Sequence, residues 1–186
     1  MSEAVVTALK SSINQVYRAA YCEHCLGNRH CTWCHKLHRT VKNREMRTIT
    51  LIVIHCSAVR PDQTSSAAQI DTWHRRDNHW KLGIGYHYVV RRDGQIEPGR
   101  PEWLVGAHCL NHNQHSIDLC YEGGLDIRGR PADTRTEAQK EAMRRLLTEL
   151  HRRYPRACIV GHHDLNPQKD CPCIENVAKE YADLQP

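Results

Sequence analysis

The feature that most constrains this chain is an apolar strand that ends in a histidine. Leu51–Ile54 is an unbroken apolar run, and His55 follows it at once. Such a run predicts a strand buried on both faces, as in the parallel sheets of α/β proteins. Open α/β sheets place their ligands beyond the carboxyl ends of the strands, so His55 is expected to emerge at a binding site. The sequence therefore predicts an α/β domain with a site at one edge of its sheet.

A second block, near the carboxyl end, carries further groups that bind metals. Residues 161–164 read Gly-His-His-Asp, and Lys169 and Cys171 follow, so two imidazoles and a thiol lie within ten residues. Pro167 divides the block and favours a loop that returns the sulfur towards one histidine. Nitrogen and sulfur ligands are typical of zinc, and three of them leave an open position for water. A hydrogen-bonded core histidine and an ordinary polar turn would explain the same residues, so both interpretations stay open on this pattern alone.

The rest of the carboxyl-terminal part alternates between strand and helix patterns. Asp93-Gly94 is a preferred hairpin turn, and Thr136 with Gln139 forms a capping box that opens a helix. The predicted elements are a helix over 64–79, strands over 86–91, 95–97, 116–121 and 157–160, and a closing helix over 173–184. Together they predict a central mixed β-sheet flanked by helices.

At these motifs the chain resembles the zinc-dependent N-acetylmuramoyl-L-alanine amidases of the type 2 family. That family includes small phage lysozyme-like amidases and animal peptidoglycan recognition proteins, and the likeness covers residues 46–184. The matching stretches are 55–58 (His-Cys-Ser-Ala), 85–88 (Gly-Tyr-His-Tyr), 92–94 (Arg-Asp-Gly), 105–108 (Val-Gly-Ala-His), 116–117 (Ser-Ile), 123–124 (Gly-Gly), 161–164 (Gly-His-His-Asp) and 169–172 (Lys-x-Cys-Pro).

The resemblance implies a role for each residue of a candidate site. The family's zinc ligands are two histidines and a cysteine, which here fall on His55, His162 and Cys171. A tyrosine and a lysine that aid catalysis fall on Tyr86 and Lys169. The implied reaction is hydrolysis of the amide between N-acetylmuramic acid and L-alanine of the stem peptide, with peptidoglycan as the partner.

Three departures from the family pattern bear on details of the site. One extra residue lies between the second histidine and the cysteine, so His162 is preferred to His163 because it follows glycine. Asp118 stands where the family usually has glycine after Ser-Ile. The aromatic residue expected shortly after Cys-Pro is replaced by Cys173 and Ile174.

The residue types also suggest what each group would do. An ammonium at Lys169, two positions before a ligand, would stabilise the oxyanion of a tetrahedral intermediate. A phenol at Tyr86 would position water or donate to the same oxygen. His108 and Asn113 lie in a loop expected to border the cleft, where they would bind the sugar or the stem peptide. For Lys169 the competing interpretation is a solvated loop charge, and for Tyr86 it is a half-buried strand aromatic. For His108 and Asn113 it is the ordinary polarity of a loop.

Residues 1–45 differ in kind from the amidase-like domain at 46–186. Apolar residues recur at helical spacing over 3–20, which predicts an amphipathic helix. Two Cys-x-x-Cys pairs follow and suit a second, structural zinc, although their spacing is shorter than in a zinc ribbon. Disulfides formed after export, a redox pair and free cysteines are the alternatives. The four cysteines are Cys22, Cys25, Cys31 and Cys34.

The amino terminus and the composition bear on where the protein acts. The chain begins Met-Ser-Glu-Ala, without a signal-peptide pattern, and has no apolar run long enough to span a membrane. We therefore expect synthesis in the cytosol and delivery to the wall by a phage holin, a dedicated secretion system or lysis. The ten cysteines should then be mostly thiols or metal ligands. A formal net charge of +5 is compatible with an anionic wall polymer, and no nucleic-acid partner is expected.

Two other functions fit parts of this pattern. The first is a non-catalytic peptidoglycan-binding module, which the retained Cys171 disfavours. The second is a zinc-stabilised regulatory protein that acts through its amino-terminal Cys/His segment on another protein, including an export partner. A basic stretch from Lys36 to Arg47 is the only support for the latter, and such stretches are more often solvated linkers.

Overall fold

A computed structural model describes residues 47–186 of the chain. The helix predicted over 3–20 and the four-cysteine site at Cys22, Cys25, Cys31 and Cys34 lie outside the described residues. No helix within the described range is both long and apolar enough to cross a membrane.

A five-stranded mixed sheet forms the centre of the domain, as the sequence predicts. Its strands lie in the order β3-β2-β4-β1-β5. All neighbouring strands are parallel except β2 and β3, which form the antiparallel hairpin predicted at Asp93-Gly94. The strands are β1 (Leu51–Cys56), β2 (Tyr88–Val90), β3 (Ile96–Pro98), β4 (Ser116–Tyr121) and β5 (Cys158–Gly161).

Both of the longer helices begin at capping boxes. The Ser66 hydroxyl accepts a hydrogen bond from the backbone amide of Gln69, which places the first helical residue at Ala67 rather than at 64. The predicted capping box of Thr136 and Gln139 is confirmed. The helical elements are α1 (Ala67–Asp77), α2 (Glu137–Arg153), α3 (His162–Leu165) and α4 (Val177–Glu180), with 3-10 turns at Asn113–His115 and Ala182–Leu184.

The predicted closing helix over 173–184 is wrong, because only α4 and a 3-10 turn form there. Cys173 has a φ of 63°, in the left-handed region, so it cannot start a right-handed helix. The Asn176 side chain caps α4 by accepting from the amide of Lys179. The apolar spacing in this segment instead places Val177 and Tyr181 in the core.

The two faces of the sheet carry different residues, and this difference positions the site. Ile52 and Ile54 of β1 pack in the large apolar cluster that includes the buried side of α2. Because side chains alternate along a strand, His55 projects to the opposite face, towards the side on which α1 packs. Asp118 of β4 lies on that second face too, since its neighbours Ile117 and Leu119 belong to the large cluster.

Candidate metal centre

Three side chains with metal-binding chemistry meet at the carboxyl ends of β1 and β5. His55 lies near the end of β1, and His162 directly follows β5 as the first residue of α3. Cys171 lies in the loop beyond α3. One ligand atom from each residue lies within 4.8 Å of the others. Because β1 and β5 are parallel neighbours, their carboxyl ends are adjacent, which explains how sequence-distant residues converge.

The geometry gives the two nitrogens of His55 different neighbours. Its Nδ1 lies 3.6 Å from the sulfur of Cys171, and its Nε2 lies 3.0 Å from Nδ1 of His108. The ring centroids of His55 and His162 are 4.6 Å apart. Nδ1 of His55 therefore faces the space shared with the other two candidate ligands.

Backbone amides of β1 and α3 hold the loop that carries Cys171. The amide of Cys56 donates to the Cys171 sulfur at 3.3 Å, and the amide of His163 donates to the Cys171 carbonyl at 2.7 Å. The imidazole of His163 lies instead beside Asp164, 3.4 Å from its carboxylate. Of these two adjacent histidines, the structure therefore brings His162 to the candidate ligands.

Burial keeps both candidate histidine ligands neutral. Desolvation lowers the pKa of His55 well below its ordinary value, and the neighbouring His108 lowers it further. The pKa of His162 is also lowered, by burial first and then by the charge of Lys169. A histidine must be neutral to bind a metal, so both side chains are in the state that a ligand requires.

The donor set fits zinc. Two neutral imidazoles and one cysteine sulfur are the ligand types that Zn²⁺ binds, and three protein ligands leave a fourth tetrahedral position for water or substrate. The second nitrogen of His55 is already hydrogen-bonded, as is usual for metal-binding histidines. Nδ1 of His55, rather than Nε2, is thus the atom available to a metal.

Tyr86 and Lys169 lie close to this group. The ring of Tyr86 is centred 5.2 Å from that of His55. Burial raises the pKa of Tyr86 well above its ordinary value, and the nearby thiols of Cys120 and Cys171 add to the shift. The phenol therefore stays protonated and can donate a hydrogen bond. Lys169 is exposed, and its charge is near enough to act on the pKa of His162.

His108 and Asn113 bond within the protein. The His108 side chain is fully enclosed, with Nδ1 on His55 and Nε2 3.0 Å from the Ser116 hydroxyl. The side-chain oxygen of Asn113 accepts from the backbone amides of His108 and Cys109, each at 2.9 Å. Their binding of sugar or stem peptide stays a prediction, and these contacts give both residues a structural role.

Sequence reasoning did not predict the contacts that three side chains make beside this site: Asp118, His87 and Arg47. Asp118 is completely buried and is hydrogen-bonded to Nδ1 of His87. Its Oδ1 also lies 3.6 Å from Nε2 of His108. The available signal was a carboxylate inside the otherwise apolar strand β4. Arg47 was assigned to a solvated linker, but its guanidinium donates to the carbonyls of Glu102, Asn113, Gln114 and Ser116 at 2.6–3.2 Å.

Asp118 is ionised despite its burial. Burial alone would raise the pKa of this carboxyl group, but the neighbouring His108 and His87 outweigh that effect and bring the pKa to about 2. A buried carboxylate therefore lies near the candidate metal centre, and the imidazole of His108 separates Asp118 from His55.

Comparison with known proteins identifies relatives of this chain. The family model described as N-acetylmuramoyl-L-alanine amidase matches residues 45–174. The endolysin of Klebsiella phage KP32 is 40% identical over 124 residues, which are 67% of this chain and 80% of that protein. The endolysin of Escherichia phage T7 is 36% identical over 135 residues, which are 73% of this chain and 87% of that protein.

Solved structures show the same fold. The N-acetylmuramoyl-L-alanine amidase LysC from Clostridium intestinale URNW matches with a TM-score of 0.62 and 28% sequence identity. The match covers 76% of this chain and 93% of the LysC chain. The similarity therefore includes nearly the whole of LysC and about three quarters of this chain.

Proposed function

Since this chain belongs to the N-acetylmuramoyl-L-alanine amidase family, we propose that it is zinc-dependent and cleaves the amide between N-acetylmuramic acid and L-alanine of the stem peptide. The protein is an amidase of the endolysin type, and peptidoglycan is the substrate class that its relatives indicate. Our proposal adds the identity of the metal, the amide bond that is cleaved and the role of each site residue.

The convergence of His55, His162 and Cys171 carries the proposal of zinc dependence. Their ligand atoms lie within 4.8 Å of one another, and both imidazoles are held neutral by burial. When bound, zinc supplies Lewis acidity, which makes water nucleophilic at neutral pH.

Tyr86 and Lys169 are proposed to act on the reacting amide. Hydrolysis places negative charge on the carbonyl oxygen, and a positioned cation or hydrogen-bond donor stabilises that charge. Loss of one such donor typically costs about 3 kcal/mol of transition-state stabilisation. The Lys169 ammonium suits this role, because it is near enough to lower the pKa of His162. The buried phenol of Tyr86 remains protonated and can donate to the same oxygen or orient the attacking water.

The proposed place of action is the cell wall, after release from the cytosol by a holin, by secretion or by lysis. The phage endolysins among the relatives support this route. A structural zinc at the four amino-terminal cysteines, and a regulatory or export partner for residues 1–45, remain separate proposals. A non-catalytic peptidoglycan-binding module is the alternative, and it is disfavoured because all three candidate ligands are present.

The experiment measures bound zinc per chain and the release of free L-alanine amino termini from purified peptidoglycan. Wild-type protein is compared with Cys171→Ala and with Cys158→Ala, which removes an exposed thiol at the start of β5. We expect Cys171→Ala to lose one zinc and all cleavage, and Cys158→Ala to lose neither. Cleavage by metal-free protein would refute zinc dependence, and a lack of cleavage by zinc-loaded wild type would favour the binding module.

A further inference from the structure

A chain of enclosed polar side chains continues from His55 away from the candidate metal centre. Nε2 of His55 lies 3.0 Å from Nδ1 of His108, and Nε2 of His108 lies 3.0 Å from the Ser116 hydroxyl and 3.6 Å from Asp118. The side chains of His108 and Asp118 are both completely buried. Neither the amide-cleaving step nor the apolar core explains a buried carboxylate at this position.

One arrangement of protons satisfies all of these contacts. A metal on Nδ1 of His55 requires the ring proton on Nε2, which then donates to Nδ1 of His108. His108 must therefore carry its own proton on Nε2, facing Ser116 and Asp118. The Ser116 hydroxyl donates to the carbonyl of His112 at 2.8 Å, so its oxygen is free to accept. Each donor in the chain then meets an acceptor.

The charge of Asp118 favours this arrangement over its reverse. With the proton on Nδ1 of His108 instead, the lone pair of Nε2 would face the carboxylate and the two would repel. Asp118 also bonds Nδ1 of His87, and the other ring nitrogen of His87, Nε2, lies 3.4 Å from the Arg47 guanidinium. Within residues 47–186, Oδ2 of Asp118 also has no hydrogen-bond partner.

Backbone packing fits the same arrangement. A side chain at Gly106 would place its Cβ 2.6 Å from Cδ2 of His108 and 2.9 Å from Cε1 of His87. Both distances are shorter than nonbonded carbon atoms tolerate. The absence of a side chain at residue 106 therefore allows both imidazoles to lie close to Asp118.

We propose that Asp118 is a positioning residue that acts through His108 to hold His55 in the tautomer and orientation that bind zinc. The proposal rests on the proposed function, because it assumes zinc on His55. Groups that orient a metal-binding histidine typically change metal affinity about 10- to 100-fold when they are removed. Asp118 is expected to act in the same way, although an imidazole separates it from the ligand.

The test measures the zinc dissociation constant by competition with a chelator of known affinity, so it does not depend on catalysis. Asp118→Asn keeps the shape of the side chain but removes its charge, and it should weaken zinc binding about 10- to 100-fold. The matched control is Glu122→Gln, which neutralises another buried carboxylate that pairs with Arg91 rather than with a histidine. This control should leave the zinc constant within about twofold of wild type.

A double-mutant cycle tests whether Asp118 acts through His108. In His108→Asn, an amide oxygen can still accept from His55, but the imidazole that links His55 to Asp118 is gone, while His87 still bonds Asp118. This variant should lose about as much affinity as Asp118→Asn, and the double variant should lose no more than either single one. The His108→Asn measurement also serves as the test if Asp118→Asn does not fold.

The outcomes separate this inference from the proposed function. Wild-type protein that binds no zinc at the three-ligand site would refute zinc dependence itself. Wild-type protein that binds zinc, with Asp118→Asn or His108→Asn binding it equally well, would overturn only the role of Asp118. Additive losses in the double variant would show that Asp118 does not act through His108 and would overturn the inference too.

Discussion

His55 and His108 meet edge to face, with 3.0 Å between Nε2 of His55 and Nδ1 of His108 and an angle of 87° between the rings. This contact uses the nitrogen of His55 that does not face Cys171. The two nitrogens of His55 therefore face different surroundings: Nδ1 faces the other two candidate ligands, and Nε2 faces the protein interior. Residues that lie beside His55 without bonding to it, such as Tyr86, should affect turnover more than metal binding.

Lys169→Ala should lower kcat about 100-fold or more, because a cation beside the reacting carbonyl is lost. Zinc content should stay at the wild-type value, since Lys169 is not among the three candidate ligands. Single-turnover cleavage of a soluble muramyl peptide, with metal analysis of the same sample, measures both. Lys179→Ala removes an exposed lysine of α4 and is the control. Loss of zinc from Lys169→Ala would reassign this residue to the structure of the site.

Tyr86→Phe should lower kcat with little change in KM, because only the hydroxyl group is removed. Burial raises the pKa of Tyr86 well above its ordinary value, so the wild-type phenol stays protonated at neutral pH and can donate a hydrogen bond. The comparison is made with Tyr154→Phe, whose hydroxyl bonds Glu102 instead. Equal activity of Tyr86→Phe and wild type would contradict a catalytic role for the hydroxyl.

Removal of the metal should abolish cleavage and lower the unfolding temperature, and added zinc should restore both. Zinc at 100 times its dissociation constant contributes about 2.7 kcal/mol of stability if it binds only the folded state. For a domain of this size, that corresponds to a shift of about 5–10 °C. Calorimetry before and after chelation measures the shift, and Cys171→Ala should show no shift at this site.

Acid should destabilise the domain partly through Glu122. Burial alone would raise the pKa of Glu122, but hydrogen bonds from Arg91 and from the amides of Arg92 and Ser65 outweigh it and lower the pKa. A lowered pKa in the folded state means that the stabilisation is present above the ordinary glutamate pKa of about 4.3 and is lost as the pH falls through the folded-state value.

Glu122→Gln should therefore cost about 3 kcal/mol at pH 7, where Arg91 would lose a buried partner, and less at pH 3. Urea unfolding of both proteins at the two pH values tests this difference. A cost that is the same at both pH values would show that the charge of Glu122 does not contribute to stability.

Thr136→Ala should lower the stability of the domain by about 1 kcal/mol, the usual effect of losing a helix N-cap. The hydroxyl accepts from the amide of Gln139 at 3.1 Å and donates to the carbonyl of Arg92 at 2.6 Å. Denaturant unfolding measures the loss, with Thr148→Ala on the exposed side of α2 for comparison. Cleavage activity at room temperature should not change.

The parts of the fold that sequence predicts well are those with strong local signals. The apolar run before His55, the turn at Asp93-Gly94 and the capping box at Thr136 each specify an element by short-range chemistry, and all three elements form. The carboxyl-terminal segment 173–184 does not form the single helix that the sequence predicts. The left-handed backbone at Cys173 is set by the loop that follows Cys171, which spacing alone does not reveal.

The candidate ligands were found from residue type and family resemblance, but their surroundings were not. The interaction of Asp118 with His108 joins residues ten positions apart through side chains that point inward from a strand and a loop. Sequence shows only that a carboxylate interrupts an apolar strand. Three-dimensional structure is needed to show which imidazoles contact this carboxylate and that His108 in turn contacts His55.

The contacts of Arg47 limit where this protein can be shortened. Its guanidinium bonds four carbonyls in the segment between Glu102 and Ser116, the same segment that carries His108 and Asn113. A truncated protein that starts at residue 46 keeps the hydrogen bonds of Arg47, whereas one that starts at residue 48 loses them. Weak activity in the shorter version would then reflect a loosened loop beside His55 and would say nothing about what residues 1–45 do. A truncation experiment that separates residues 1–45 from the rest of the chain must therefore retain Arg47.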